Sequence, residues 1–583
     1  MGIKTNNNIR ECYHDFEIEI SKDNCKIIKV QKNHKNVYLG SKYNMSMEIE
    51  KFLKNIDGDE NSIFIIFGVA MGEHIKKLRE TYRDNTIIVI EPNIKLVEYL
   101  NSHEEKLLKQ NKIILIPFDK HIRENLTNNI SVFRLAHVRY FKFSNYDQIY
   151  EEEYCILTKV LGEVLINMTV NLNTNKYYSV QWFNNCLQNL KYITNGIPYK
   201  VYKNKFKNIP AVIVSAGPSL DRNIKDLKYI NKNMLLFTGA RTLKALLDNG
   251  TSPDLLALVD PEDMNYDFLK GYIEEFVKPM LIYEGANSKA IKEHKGEKIF
   301  FSQNKIIDKM FEEEIGSLII GGSVSHTLIY FAALMGCNPI ILVGQDLAYT
   351  GEKVYSDVAN SNITCTYKND KDFYVEDING GMVRVSREFN LFRISIEEDI
   401  IPLFPNTKFI DATEGGAKIR GTEIMTLKEA INKYDYNNKI EFHHNEYTNI
   451  KARENCIKLL KDTENAVETI VVNCKNCLEL NEKMKKAFLY GHNNYDKIIH
   501  KLEKEDKKIE NKCKKLGLLS TLFYDTIYEI MSDVKFKVKK DENREESVEK
   551  VYNKSKNMYN SIIEIAQFAI PQIKETIYEI ENI

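Results

Sequence analysis

The middle of the chain alternates short apolar runs with amphipathic segments, the pattern of parallel strands separated by helices. Ala211-Val-Ile-Val214 reads as a buried strand. It runs into the small residues Ser215-Ala-Gly217-Pro218-Ser219, and a helix is expected to begin near Pro218, whose fixed φ suits a first helical position. Met234–Phe237 forms a second strand, after which Thr238, Gly239, Ala240 and Arg241 open a helix through Leu247. Pro253–Val259 forms a third, ending in Asp260-Pro261, and Met280–Tyr283 and Lys298–Phe301 follow. Gly321-Gly322-Ser323-Val324-Ser325-His326 opens another helix, and Pro339–Val343 ends in Gly344-Gln345-Asp346-Leu347. A loop-rich insert is expected over about 347–400, and Phe409–Lys418 reads as a last strand and a tight turn. In a doubly wound sheet, strand ends of this polar, glycine-bearing kind converge on one crevice where ligands bind.

The flanks differ. Strand-like runs at Phe16–Ile20 and Lys26–Val30 precede a helix near Met45–Lys54. Ile63–Phe67, Gly68-x-x-x-Gly72, a helix, Thr86–Ile90 and then Glu91 begin a nucleotide-binding βαβ pattern, with Ile113–Pro117 in the same sheet. The glycine spacing falls short of the full dinucleotide fingerprint, and an acid at the second strand end also occurs in methyltransferases. Two readings therefore stand for this region, a Rossmann-like scaffold without a cofactor and a methyltransferase-like site. Residues 125–200 are expected to be mainly helical, with Trp182 in a packing role. Beyond Thr426, apolar residues such as Val467, Ile470, Val471, Cys474 and Leu478 recur at three- and four-residue spacing, which describes amphipathic helices in a bundle. The expected fold class is α/β: a Rossmann-like N-terminal domain (1–125), a helical linker (126–195), a central doubly wound α/β catalytic domain (196–425) and a C-terminal α-helical domain (426–583).

Composition narrows the function classes. A chain of 583 residues is too long for one core, and roughly two to four domains are expected. Net charge is −1, so no global field points to nucleic acid or to an acidic membrane. The ten cysteines are scattered, which suits a reducing compartment. Cys474-Lys-Asn-Cys477 has no second pair to complete a zinc site and is expected to be structural. The opening MGIKTNNNIREC has no apolar signal core. The longest apolar stretch, near Leu328–Val343, is broken by Gly336, Asn338 and Pro339, so no membrane span and a cytoplasmic location are expected. No Asp-x-Asp pair stands at a strand end to grip a diphosphate through a divalent ion, so metal independence is expected.

Ser215-Ala-Gly-Pro-Ser-Leu220, taken with Ile341-Leu-Val-Gly-Gln-Asp-Leu-Ala-Tyr349, resembles the motility accessory factor (Maf) family of bacterial flagellin glycosyltransferases. Gly321-Gly-Ser-Val324 and Asp411-Ala-Thr-Glu-Gly-Gly-Ala-Lys418 support the resemblance. It is strong over about 195–430 and extends to the whole chain through the three-part layout. It implies transfer of a nonulosonic acid (pseudaminic or legionaminic, relatives of sialic acid) from a CMP-activated donor to Ser or Thr of flagellin, serving flagellar assembly and motility. The donor is then a substrate, and no separate cofactor is implied.

The central domain is also similar to bacterial sialyltransferases that use CMP-sialic acid. That similarity places the nucleotide on Ser215, Gly217, Pro218 and Ser219, with Gly239, Ala240 and Arg241 at the second strand end. It puts Asp260 where those enzymes have an asparagine before proline, Ser323 and Ser325 near the cytidine, and Tyr349 and Tyr355 on the donor phosphate. Gly322 and Gln345 complete the expected substrate-binding set. Those enzymes carry a histidine general base in a loop matching about Asp377–Ser386, and this chain has none there. The candidates for the base are Asp377, Glu376, Asp346 and Glu414, followed by His326, for which packing is the expected role. Asp346 is equally suited to capping nearby amides. Two other readings stand beside the transferase: a pterin diphosphokinase-like enzyme, which shares the Gly-Pro-Ser turn, and a non-catalytic flagellin-binding scaffold.

Overall fold

The strand–helix alternation is present in a computed structural model, which describes residues 11–583 apart from 33–34, 60, 104–111, 231–233, 319–321, 360–371, 436–441, 443–446, 448, 491–494, 514–515, 520–521, 524–529, 531–532, 537–541 and 583. Gly321 of the Gly-Gly-Ser-Val stretch thus lies outside the described residues. The chain divides into two units, Met1–Tyr177 with Tyr528–Val534, and Tyr178–Ile527 with Lys535–Ile583.

In the first unit, β1 (Phe16–Ile20), β2 (Lys26–Lys32) and β3 (Lys35–Leu39) form an antiparallel sheet. A second, parallel sheet contains β4 (Ile63–Phe67), β5 (Thr86–Glu91), β6 (Ile113–Pro117) and β7 (Val138–Lys142) in the order β6-β5-β4-β7. Every residue of β4 is buried, as in a central strand covered on both faces. β7 falls in the stretch expected to be mainly helical. Its sequence has no clear period, and the pairing with β4 is what makes it a strand.

Strand order reverses between β4 and β7, the position where a Rossmann-like sheet opens its crevice. Here Tyr146 fills it. Gly68 has φ +103°, and a Cβ on it would come within 2.5 Å of the Tyr146 ring. The Ala70 amide donates to the Tyr146 hydroxyl at 2.8 Å, and that hydroxyl donates to Glu91 Oε2 at 2.9 Å. Glu91 also accepts from the Val69 and Asn93 amides, each at 3.0 Å. Burial pushes this carboxyl up to about 7, with the hydrogen bonds opposing the shift. The acid that would face a ribose is bonded inside the fold, which fits the scaffold reading and leaves the methyltransferase-like one without its carboxylate.

The second unit is built on a nine-stranded sheet in which every pair is parallel. Its strands in chain order begin with β8 (Ile197–Pro198), β9 (Ala211–Val214), β10 (Leu235–Gly239), β11 (Leu255–Leu258), β12 (Met280–Tyr283), β13 (Lys298–Phe301) and β14 (Ile340–Val343). A separate antiparallel hairpin, β15 (Phe373–Glu376) and β16 (Met382–Val385), interrupts the series before β17 (Phe409–Asp411) and β18 (Thr422–Ile424). Alternate residues serve opposite faces. Ala211, Ile213 and Phe237 pack with Leu328 and Phe331 of the helix Val324–Leu334. Val212, Val214 and Leu236 pack with Leu220, Leu246 and Leu427 on the other side. Towards β13, Leu256, Ile282 and Phe300 share one core with Val467, Ile470 and Cys474 of the helix Ile450–Leu489 and with the helix Arg544–Glu581. Cys474 and Cys477 are buried there, and desolvation pushes both thiols up to about 12, as for packed, unreactive cysteines.

Three expectations change. The insert over about 347–400 is not only loop: besides β15 and β16 it contains the helix Arg387–Ser395, started by Ser386, which accepts from the Phe389 amide at 3.1 Å. The helix expected from Pro218 spans only Leu220–Asn223 and continues as a 3-10 turn, Ile224–Tyr229. Among the described residues, the helix long and apolar enough to cross a membrane by length and composition is Glu151–Ile193, not the stretch near Leu328–Val343. A third of its most apolar window is buried, and Leu157, Leu161 and Val164 pack into the core of the first unit.

Tyr146→Phe removes one hydrogen bond each from buried Glu91 and from the Ala70 amide. It is expected to destabilise the first unit by about 1–3 kcal/mol, read as a lower urea midpoint at unchanged m-value.

Candidate active site

The central sheet reverses order between β9 and β14: successive strands step outward from β9 through β10 to β13, whereas β14, β17 and β18 lie on its other side. All of these strands point the same way, so their C-terminal turns meet at one edge. A cavity of about 320 Å³ opens there. Larger surface grooves occur along Lys535–Asn557 and beside Lys295–Lys298, and no fan of strand ends converges on them.

Two turns at the switch point are tied by one carboxylate. Asp346, after β14, is 1% exposed. It accepts from the Ser219 amide at 3.1 Å and from the Ser219 hydroxyl at 2.7 Å, after β9. Gly217 makes room, because a Cβ there would lie 2.1 Å from Asp346 Oδ2. Burial pushes Asp346 up to about 6, opposed by the Ser219 bonds and aided by the nearby Asp411. A second tie is Ser215 Oγ, donating to Gln345 Oε1 at 2.6 Å. The Ser219 amide, in the turn on which the resemblance places the nucleotide, thus already has a carboxylate partner. Pro218 and Ser219 shape the turn and do not line the cavity.

Arg241 follows β10. Its guanidinium stacks between the Phe268 ring at 4.2 Å and the Tyr355 ring at 4.0 Å. Its buried Nη1 has no hydrogen-bond partner among the described residues. Asp260, after β11, is exposed into the cavity yet closely flanked by protein, and desolvation raises its pKa, with Glu262 adding repulsion and Arg241 opposing. At the head of the helix Val324–Leu334, Ser323 Oγ lies 3.0 Å from Ser325 Oγ. Gly239 and Ala240 line the cavity beside Arg241, and Gly322 lines it beside Ser323.

Other expected residues lie elsewhere. Tyr349 is outside the lining, with the Arg384 guanidinium 4.4 Å above its ring. Asp377 closes its own hairpin by accepting from the Asn379 and Gly381 amides at 2.7 and 2.9 Å. Glu376 pairs with Lys418 at 2.7 Å. Glu414 accepts from the Leu427 amide at 3.1 Å, capping the helix Leu427–Lys433. His326 is buried, its Nδ1 and Nε2 facing the carbonyl oxygens of Ser323 and Phe392 at 3.2 and 2.9 Å, and desolvation lowers its pKa. Its surroundings are those of a packed histidine, as expected.

Sequence reasoning missed Phe268, Glu262 and Asn265, which follow Asp260 into the cavity, and Phe389 and Phe392 on the insert helix. The last two carried a signal: Ser386 followed by apolar residues at positions 389, 392 and 396 is a capped helix start.

Comparison with known proteins agrees on the architecture. The structure of MAf glycosyltransferase from Magnetospirillum magneticum AMB-1 superposes with a TM-score of 0.58 at 14% identity, covering 99% of this chain and 94% of that one. The chain has the fold of a Maf glycosyltransferase. Residues 184–352 match the family described as 6-hydroxymethylpterin diphosphokinase MptE-like, a span that includes β9 to β14. Among curated proteins, none matches the chain.

Asp411, at the end of β17, accepts from the Thr413 amide at 3.1 Å, while its Oδ2 is buried without a partner among the described residues. Burial pushes it up to about 6, above its ordinary 3.8. A raised carboxyl favours the folded state below the ordinary value, and that stability is lost as pH rises through the folded one. Asp411→Asn keeps the Thr413 bond and removes the buried charge. It is expected to be more stable than the parent at pH 7 by roughly 2–3 kcal/mol and to show a shallower decline than the parent between about pH 4 and 6, where Asp346 keeps its own contribution, measured by thermal melts across that range.

Proposed function

We propose that the chain is a glycosyltransferase that moves a nonulosonic acid from a CMP-activated donor to a Ser or Thr hydroxyl of flagellin. The observation that carries this reading is the ring-clamped Arg241, whose buried Nη1 has no hydrogen-bond partner among the described residues, in a cavity at the sheet's switch point. The likeness to a protein named a glycosyltransferase over 99% of the chain supports it. A CMP donor leaves as an anion when the glycosyl–phosphate bond breaks, and the growing charge needs a preorganised donor. Arg241 supplies that donor without reorganisation, because Phe268 and Tyr355 fix its plane. Ser323 and Ser325, which line the same cavity, offer hydroxyls to the nucleotide.

The Tyr355 loop is itself anchored. Asp221 accepts from the Asp357 and Val358 amides at 2.9 and 3.1 Å, and the Ser356 amide donates to the Ala216 carbonyl at 2.9 Å. The ring over Arg241 is thereby fixed to the turn after β9. The cation, the serine pair and the open carboxylate of Asp260 match what a sugar monophosphate ester requires: leaving-group stabilisation, nucleotide contacts and a proton acceptor. A metal ion has no step in this scheme, and the reaction is expected to run in EDTA.

Incubated with CMP-nonulosonate and flagellin, the chain should release CMP and add the sugar's mass to flagellin. Arg241→Ala should lower kcat/KM by roughly 10²-fold while the fold is retained by circular dichroism. ATP consumption with a hydroxymethylpterin and no CMP release would establish the diphosphokinase reading instead, and neither reaction would leave a scaffold.

A further inference from the structure

Three carboxylates line the cavity, Asp260, Glu262 and Asp346, and among the described residues no histidine does. Two of the three are engaged. Asp346 accepts from the Ser219 amide and hydroxyl, and Glu262 accepts from the Tyr178 hydroxyl at 2.7 Å. The acids outside the lining are engaged as well: Asp377 in its hairpin turn, Glu414 at a helix start and Glu376 with Lys418. Asp260 differs. Among the described residues its carboxylate has no hydrogen-bond or ion-pair partner, and Asp260 is exposed and lines the cavity.

The backbone around Asp260 is held firmly. Its carbonyl accepts from the Asn287 amide at 3.0 Å. The carbonyl of Pro261 accepts from Gln181 Nε2 at 2.8 Å and from Asn185 Nδ2 at 3.1 Å. A rigid loop thus presents an unengaged carboxylate to the same cavity as Arg241, the arrangement expected of a proton acceptor beside a leaving-group site.

We propose that Asp260 is the general base that takes the proton from the acceptor hydroxyl, an assignment that rests on the glycosyl-transfer reading above. In the step, the hydroxyl proton passes to an Asp260 oxygen while the hydroxyl oxygen bonds to the anomeric carbon. The anomeric carbon–oxygen bond to phosphate breaks, and its electron pair leaves with CMP. The protonated Asp260 returns its proton to water as products depart. The desolvation that raises its pKa makes it a better proton acceptor than an aspartate at the ordinary value.

The full chain, with CMP-nonulosonate and flagellin, tests this. Asp260→Asn, nearly isosteric, should lower kcat for transfer by about 10²–10⁴-fold with little change in the donor KM. Asp260→Ala should be equally slow and should regain transfer in proportion to added formate, which also shows that the variant is folded. An Asp260→Asn variant as fast as the parent, or one whose only change is a raised donor KM, overturns the assignment. A parent chain that releases no CMP overturns the glycosyl-transfer reading itself, a result distinguishable from an active parent whose Asp260→Asn is equally active.

Discussion

The Asp346 carboxylate ties together the two turns that border the cavity. Parallel strands on either side of a switch point leave in opposite directions, and here the backbone ties between their turns are the Ser215 and Gly217 amides on the Val343 and Gly344 carbonyls, each at 2.8 Å, with a gap beyond them. A buried carboxylate can span such a gap only where hydrogen bonds repay its desolvation. Ser219 supplies them from the far side with its amide and hydroxyl. Gly217 is part of the same device, since a side chain there would occupy the carboxylate's place. The tie changes what the site offers a ligand. The Ser219 amide serves the fold, and the groups left to the cavity include Arg241, Ser323, Ser325 and Asp260.

That division of labour explains why conspicuous acids around the site differ in use. Asp346, Asp377 and Glu414 all sit in polar turns beside strand ends, and all three are occupied by backbone amides. Backbone N–H groups left over at tight turns are expensive to bury unpaired, and short acidic side chains are the nearest acceptors. Asp260 is placed differently: the bonds that hold its turn run from Gln181, Asn185 and Asn287 to the carbonyls of Asp260 and Pro261, and none of them uses its carboxylate.

The two parallel sheets make the same topological offer and use it differently. In the first unit the reversal between β4 and β7 is filled by Tyr146, whose hydroxyl joins Ala70 to Glu91. In the second unit the corresponding gap stays open and is lined with a cation and a carboxylate. A doubly wound sheet provides a crevice, and only the side chains at the strand ends decide whether it binds anything.

Much of this was legible in the residues. Runs such as Ile63–Phe67 and Ala211–Val214 are apolar at every position because both faces of a parallel sheet are covered, so burial writes itself into the sequence. Polar and glycine residues at the ends of those runs located the cavity for the same reason. The strand β7 and the helix Arg387–Ser395 were not legible, since each is defined by what it packs against. Nor was the choice among carboxylates. Hydrophobic periodicity is a local property that the chain carries wherever it goes, so the sequence by itself determined the strands, their order of appearance and the polar ends. Whether a given Asp faces an amide, a lysine or open space depends on residues tens to hundreds of positions away, and that partnership existed only once the sheet had brought β9, β11 and β14 side by side.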